Sequence, residues 1–349
     1  VTVETTHADL RLALLGLVEL LLDAGAWVHP QLRIVERERQ ISVWTDGDDP
    51  WLMRIPRDSL VPVANVAWSE KPPLQSTAVP NSFTPLQRAV LEACTAVMVA
   101  AGTWEHFHAT HPRATITDPN AIEMIRSLHP PFTAATDADA MLRTRTIRMS
   151  LDGSEPTSYL MPLLDLVNHH PGAPGYVNND EGLGIGTWRS TVDGECSVSY
   201  GSTRDALGIA LAYGYVDERI TRVNALPGQY ALPGGDTLRV VRASQPDWVS
   251  EPNMLTVVGA AFDAHDPDLE RRSVVEPLER HLRKRGVPAL RARHEARLMA
   301  RRILKSDSGR LLKALDVLDK TAGCELVSEA VYHQHRLVAG QVVGGVGEA

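Results

Sequence analysis

A chain of 349 residues, 44% hydrophobic and 22% charged, has the composition of an ordinary folded protein with room for two or three domains, which excludes a largely disordered one. Its net charge of −8 argues against general nucleic-acid binding. Three cysteines, Cys94, Cys196 and Cys324, are odd in number and widely spaced; they make neither a disulfide framework nor a zinc site, and a reducing cytoplasm is the expected compartment.

The first element is LRLALLGLVELLLDAGAW, from Leu10 to Trp27. Arg11, Glu19 and Asp23 interrupt it, and it has neither a basic start nor a convincing cleavage site. It therefore predicts an amphipathic helix that stops at Gly25, not a signal or membrane segment. Leu32, Ile34, Ile41 and Val43 then mark two strands joined through the charged Glu36-Arg37-Glu38-Arg39, and WLMRI before Pro56 reads as another strand. Residues 69–85 are rich in Pro, Ser and Thr and read as a loop. Helical patterns follow over LQRAVLEACTAVMVAAGTW and DPNAIEMIRSL, the second capped by Asp118 or Asn120 and closed by two prolines. His106, His108 and His111 have no carboxylate-rich or cysteine partner in register, so no metal is expected.

Leu160 to Tyr176 is an apolar run broken by Asp165 and ended by Asn168, His169 and His170, where Pro171 and Gly172 turn the chain. GLGIG (Gly182–Gly186) is followed by a hairpin pattern with a tight Asp193-Gly194 turn, not by a helix, so a dinucleotide loop is rejected. The alternating Cys196–Tyr200 predicts a strand, Gly201-Ser202 a turn, and Leu207, Ala210, Leu211 and Tyr213 a helix. Short strands are expected over 227–241 and helices over most of 267–335, some with strongly basic faces fit either for an acidic partner or simply for solvent.

Pro162, Asp165 and Asn168-His169 at the end of an apolar run, then a strand ending in Tyr200 and a helix ending in Tyr213-Gly214-Tyr215, resemble the C-terminal half of a split SET domain of the RuBisCO large-subunit and actin-histidine methyltransferase type. The resemblance covers about residues 17–218. It implies an α+β fold: a β-rich SET domain with a pseudoknot-like crossing, begun over 1–80, interrupted by a helical insert over 81–140, completed over 141–225, and followed over 226–349 by a mainly helical domain for a substrate or partner. It also implies S-adenosylmethionine-dependent methyl transfer to a lysine or histidine of a protein, with no metal. On this reading Tyr200 is the catalytic tyrosine. Asn168, His169, Tyr215 and Glu36 meet the cofactor, with Arg148, or else Arg145, gripping its carboxylate. Tyr176 and Tyr213 line the acceptor channel, and Asp165, on the substrate side, braces the knot-like crossing by hydrogen bonds. The chemistry suits such residues, because an in-line displacement at an uncharged nitrogen needs alignment and desolvation more than proton transfer.

Two departures stand against the family pattern. Its Gly-x-Gly cofactor loop falls here at about Arg37 and Arg39, where a positive φ would be strained and long side chains would rim the pocket. Its Ser-Asn after the Tyr-Gly turn is Asp205-Ala206. A SET-like scaffold without methyl transfer, or a pocket given over to a small molecule and other chemistry, are the alternatives these departures leave open. The substrate and the oligomeric state are not readable from the sequence.

Overall fold

The computed structural model describes all residues except 65, 70–74, 131, 133–135, 152–154, 190–193, 202–203, 243–252, 264 and 345–349. The expected turns at Asp193-Gly194 and Gly201-Ser202 thus each include a residue outside the described ones, as does the middle of the 69–85 loop. The fold is α+β with a helical C-terminal region. It divides into two compact units, 1–109 with 135–202, and 110–134 with 203–349. The helical segment expected over 81–140 therefore contributes to both. No helix among the described residues is long and apolar enough to cross a membrane.

The first unit begins with helix Ala8–Asp23, whose Leu10, Leu14, Leu17, Val18 and Leu21 form one buried stripe. It ends as expected: Gly25 has φ 88° and its N–H caps the Leu22 carbonyl at 2.9 Å. Small sheets accompany it. Strand Arg33–Arg37 lies between Thr2–Glu4, parallel to it, and Gln40–Trp44, antiparallel. Trp51–Ile55 lies between Trp27–Val28 and the glycine-rich Gly182–Gly186, which continues to Val177–Asn179. Thr157–Leu160 pairs with Val61–Pro62 and with Thr146–Met149. The last pair is Asn168–His169 with Ser197–Val198.

Close approach explains the glycines of GLGIG. At Gly182, with φ 140°, a Cβ would stand 2.0 Å from the Ile55 carbonyl oxygen. Only glycine lets these two backbones meet, so the segment is a packed strand and not a phosphate loop.

The second unit packs helices on short strands. Helix Pro119–Leu128 is capped by Asp118, which accepts from the N–H groups of Asn120 and Ala121. Region 226–349 is not purely helical. Gly228–Ala231, Thr237–Val241 and Met254–Val258 form one sheet, and Arg222–Asn224 pairs with Ala261–Asp263. The 30-residue helix Ala289–Leu318 and helix Glu325–Gly344 close the core around Phe262, Leu278, Ile303, Leu311 and Val331.

Candidate functional site

The segment from Leu160 reaches its motif through a strained turn. Leu163 has φ 62°, a short 3-10 turn spans Leu164–Leu166, and the chain then extends as Asn168–His169. That strand runs parallel to Ser197–Val198, and the His170 N–H donates to the Val198 carbonyl at 3.1 Å. Cys196 through Ser199 are all buried, so this strand is enclosed on both faces and not half-exposed as its alternation suggests. Parallel pairing of two segments 29 residues apart brings Asn168-His169 beside the strand that leads into Tyr200.

Tyr200 sits at the end of this pair, half-buried. Its hydroxyl donates to the Val167 carbonyl at 2.9 Å, and its backbone N–H donates to His169 Nδ1 at 3.0 Å. The His169 ring, buried, lies 5.0 Å from the Tyr200 ring. A His169 that accepts at Nδ1 carries its proton at Nε2 when neutral. It therefore orients Tyr200 as an acceptor, and both of its rotatable bonds are fixed by the stack and the hydroxyl contact. Tyr176 lies in the loop that joins this site through the Ser199 N–H, which donates to the Pro174 carbonyl at 2.9 Å.

Asn168 is exposed, and its amide donates to Glu195 Oε1 at 2.7 Å. Nothing local in the sequence marks Glu195, which is 27 residues away and reaches the site because it bridges to Trp44. Asp165 accepts from Arg145 at 3.1 Å. Burial pushes the Asp165 carboxyl above its ordinary range in spite of that guanidinium. Beside the pair is a cavity of about 20 Å³, room for a single water, walled by Leu17, Cys94, Met98 and Leu160. Arg148, by contrast, is exposed on strand Thr146–Met149 opposite Ser158. The structure brings Arg145, not Arg148, to Asp165.

The charged turn has an unexpected form. Arg37 ends one strand opposite Gln40, and the two residues between, Glu38 and Arg39, have φ 53° and 65°. Strain therefore falls on Glu38 and Arg39 instead of on Arg37 and Arg39. This is a two-residue hairpin turn of the kind that favours Asn-Gly, and side-chain-bearing residues in it cost about 1–2 kcal/mol each. Glu36 offsets part of that cost. It is 8% exposed, Oε1 accepts from the Arg39 N–H at 2.7 Å and Oε2 from the Thr5 hydroxyl at 2.8 Å. Burial raises its pKa, but the Thr5 and Arg39 donors outweigh it and hold the carboxyl below its usual range. Glu36, implied as a cofactor contact, has both oxygens engaged in bracing the hairpin.

Tyr213 and Tyr215 belong to the second unit. Helix Ala206–Tyr213 is buried from Ala206 to Leu211 and ends at Gly214, with φ 74°. Tyr213 lies under the Arg204 guanidinium, 4.9 Å from its ring centre, and burial raises its phenol pKa against that cation. The Tyr215 ring is 6.4 Å from that of Tyr213. Asp205 resolves the second departure. It caps this helix, its Oδ1 accepting from the Gly208 N–H at 2.8 Å. Among the described residues no group of three or more His, Cys, Asp or Glu is arranged to hold a metal.

No family model matches the sequence, and no curated protein matches it. Among solved structures, one described as the SET domain of LSMT bound to lysine and AdoHcy is similar with a TM-score of 0.42 and 10% identity, over 95% of this chain and 90% of that one.

Proposed function

We propose that the chain is a SET-type methyltransferase that moves a methyl group from S-adenosylmethionine to a lysine, or a histidine, of a protein. The observation that carries this reading is the parallel pairing of Asn168–His169 with Ser197–Val198, which puts the Tyr200 hydroxyl on the Val167 carbonyl. Asn168-His169 lies there beside the strand that leads into Tyr200. Tyr200 is the catalytic tyrosine, held by His169 and Val167 so that its ring and oxygen keep one orientation. A fixed phenol oxygen beside a carbonyl accepts from an incoming nitrogen and so aligns its lone pair. Tyr176 is the proposed channel wall of this unit, and Asp165 with Arg145 is a brace.

For the cofactor we assign residues of the first unit: the exposed Arg148 guanidinium for its carboxylate, and the Asn168 amide and the His169 backbone for polar contacts. The cofactor's sulfonium supplies the methyl group. On the hairpin side, Arg37 and Arg39 are exposed side chains where the family has glycines. That observation favours a second reading, a SET-like scaffold whose pocket holds a different, anionic ligand or none.

Calorimetric titration with S-adenosylmethionine and S-adenosylhomocysteine separates the two readings. The first expects dissociation constants near micromolar, about −8 kcal/mol, and transfer of labelled methyl onto lysine- or histidine-bearing peptides. Tyr200→Phe should then abolish most turnover and leave cofactor affinity within about threefold, the readout of an interaction made in the transition state. Absence of binding by either ligand overturns the first reading in favour of the second. Unchanged turnover in Tyr200→Phe removes Tyr200 from the chemistry.

A further inference from the structure

A net charge of −8 is an average over an uneven surface. Residues 271–305 hold twelve Arg or Lys against three Glu. On helix Ala289–Leu318 the separation is complete: from 291 to 305 every exposed residue is Arg, Lys or His. At 100° per residue, Arg291, Arg293, Arg297, Arg301, Arg302 and Lys305 occupy about half the helix circumference along roughly 20 Å of its length. The opposite face, with Ala292, Ala296, Met299, Ala300 and Ile303, is buried.

Four of these cations, Arg293, Arg297, Arg301 and Lys305, follow one another at i, i+4. Like charges at this spacing repel, so the helix itself gains nothing from the ladder. Nearby carboxylates answer part of it: Arg293 pairs with Glu279 at 3.2 Å, Arg291 with Glu295 at 3.9 Å, and Glu270 interacts with Arg301 and Arg297. The surplus remains cationic, and it is not repeated on the other side of the helix.

We propose that this face docks the phosphate backbone of a nucleic-acid duplex without reading its sequence. The charge complementarity is with a polyanion. The absence of an exposed apolar side chain between 291 and 305 distinguishes the face from a protein interface, whose centre is apolar and depleted of charge. A helix that lies in a membrane interface buries an apolar face there, and at this stripe Leu290, 86% exposed, is the exposed apolar side chain at its end. Five of the six cations are arginines, whose planar forks match phosphate oxygens. Residues 271–305 contain no Phe, Tyr or Trp. Base stacking, the usual basis of single-strand binding, is therefore not available, and a duplex, with one charge per about 1.7 Å, is the form that suits the ladder.

The test is fluorescence anisotropy of a labelled mixed-sequence DNA duplex with the full chain. Four phosphate contacts predict roughly 100-fold weaker binding at 200 mM than at about 50 mM salt. Replacing Arg293, Arg297, Arg301 and Lys305 together by Gln should flatten the slope of log K against log salt by about four and remove most of the binding. The set of four replaced by Glu should abolish it. All four residues are exposed, and circular dichroism checks that both variants fold. The proposal is overturned if the wild-type chain does not bind the duplex at about 50 mM salt, or if either folded variant binds as the wild type does. It is equally overturned if poly-glutamate or anionic phospholipid vesicles bind as tightly as the duplex.

Discussion

Two aspartates in the second unit are equally buried and behave in opposite ways. Asp205, 0% exposed, begins helix Ala206–Tyr213, and Asp307, 1% exposed, lies in the middle of helix Ala289–Leu318. Asp205 accepts from the Gly208 and Asn224 N–H groups at 2.8 and 3.2 Å, from Arg242 at 3.3 Å and from Gln334 at 3.1 Å. Burial alone would raise its pKa, but Arg242 and these donors outweigh it and the carboxyl is held below its usual range. Asp307 has the Leu226 N–H at 2.9 Å on Oδ2, and Oδ1 is buried without a hydrogen bond. Burial dominates there and pushes the carboxyl up to about 7. Number of donors, not depth, decides whether an interior carboxyl is charged.

The largest way to break this contrast is Asp205→Ala, which leaves the Arg242 guanidinium buried and unpaired. A loss of about 3–5 kcal/mol is expected in urea unfolding, with the second unit opening first. Replacement of the charge by its neutral isostere at the other site tests the opposite sign. A carboxyl whose folded pKa is raised stabilises fully below its unfolded value and loses that contribution as pH rises through the folded value. Stability should therefore fall between about pH 4 and pH 7 by up to about 4 kcal/mol on account of Asp307. Asp307→Asn should flatten this limb, and an unchanged pH profile would show that Asp307 ionises normally.

Acid should act on the other site. Burial, then Arg242, lowers the His129 pKa from 6.5 to about 3, and Asp205 is lowered as well. Both groups lose their contribution as pH falls, His129 below about 6.5 and Asp205 below its ordinary range. The smallest effect sharpens the comparison. Gln334→Leu removes one of the four donors to Asp205 and should cost about 1 kcal/mol, measured by the urea midpoint. A cost near that of Asp205→Ala would mean that the network fails as a unit.

The residues of the candidate site are legible in the sequence as residue types, and their roles are not. Asn168-His169, Tyr200 and Tyr213-Gly214-Tyr215 were identifiable as types in a fixed order, and the structure joins the first three in one hydrogen-bonded crossing. Other assignments were not legible, because they depend on distant partners. Arg145 and Arg148 are alike in sequence, and only the packing sends the first to Asp165 and leaves the second exposed. Glu36 reads as one charge in a charged run, and Thr5, 31 residues earlier, and the strained Arg39 backbone draw it inward.

The sequence by itself determined what acts over short range: the apolar stripe of helix Ala8–Asp23, its stop at Gly25, a helix cap at Asp118 or Asn120, and the cationic ladder from Arg293 to Lys305. Helical and turn preferences are set by neighbours within a few residues, so a pattern suffices to read them. Only the tertiary structure decided the charge state of interior carboxyls and the partners of Tyr200. Asn224, Arg242 and Gln334 reach Asp205 across 19, 37 and 129 residues. Desolvation and hydrogen bonding depend on which groups the fold brings within about 3 Å, and no local pattern carries that information.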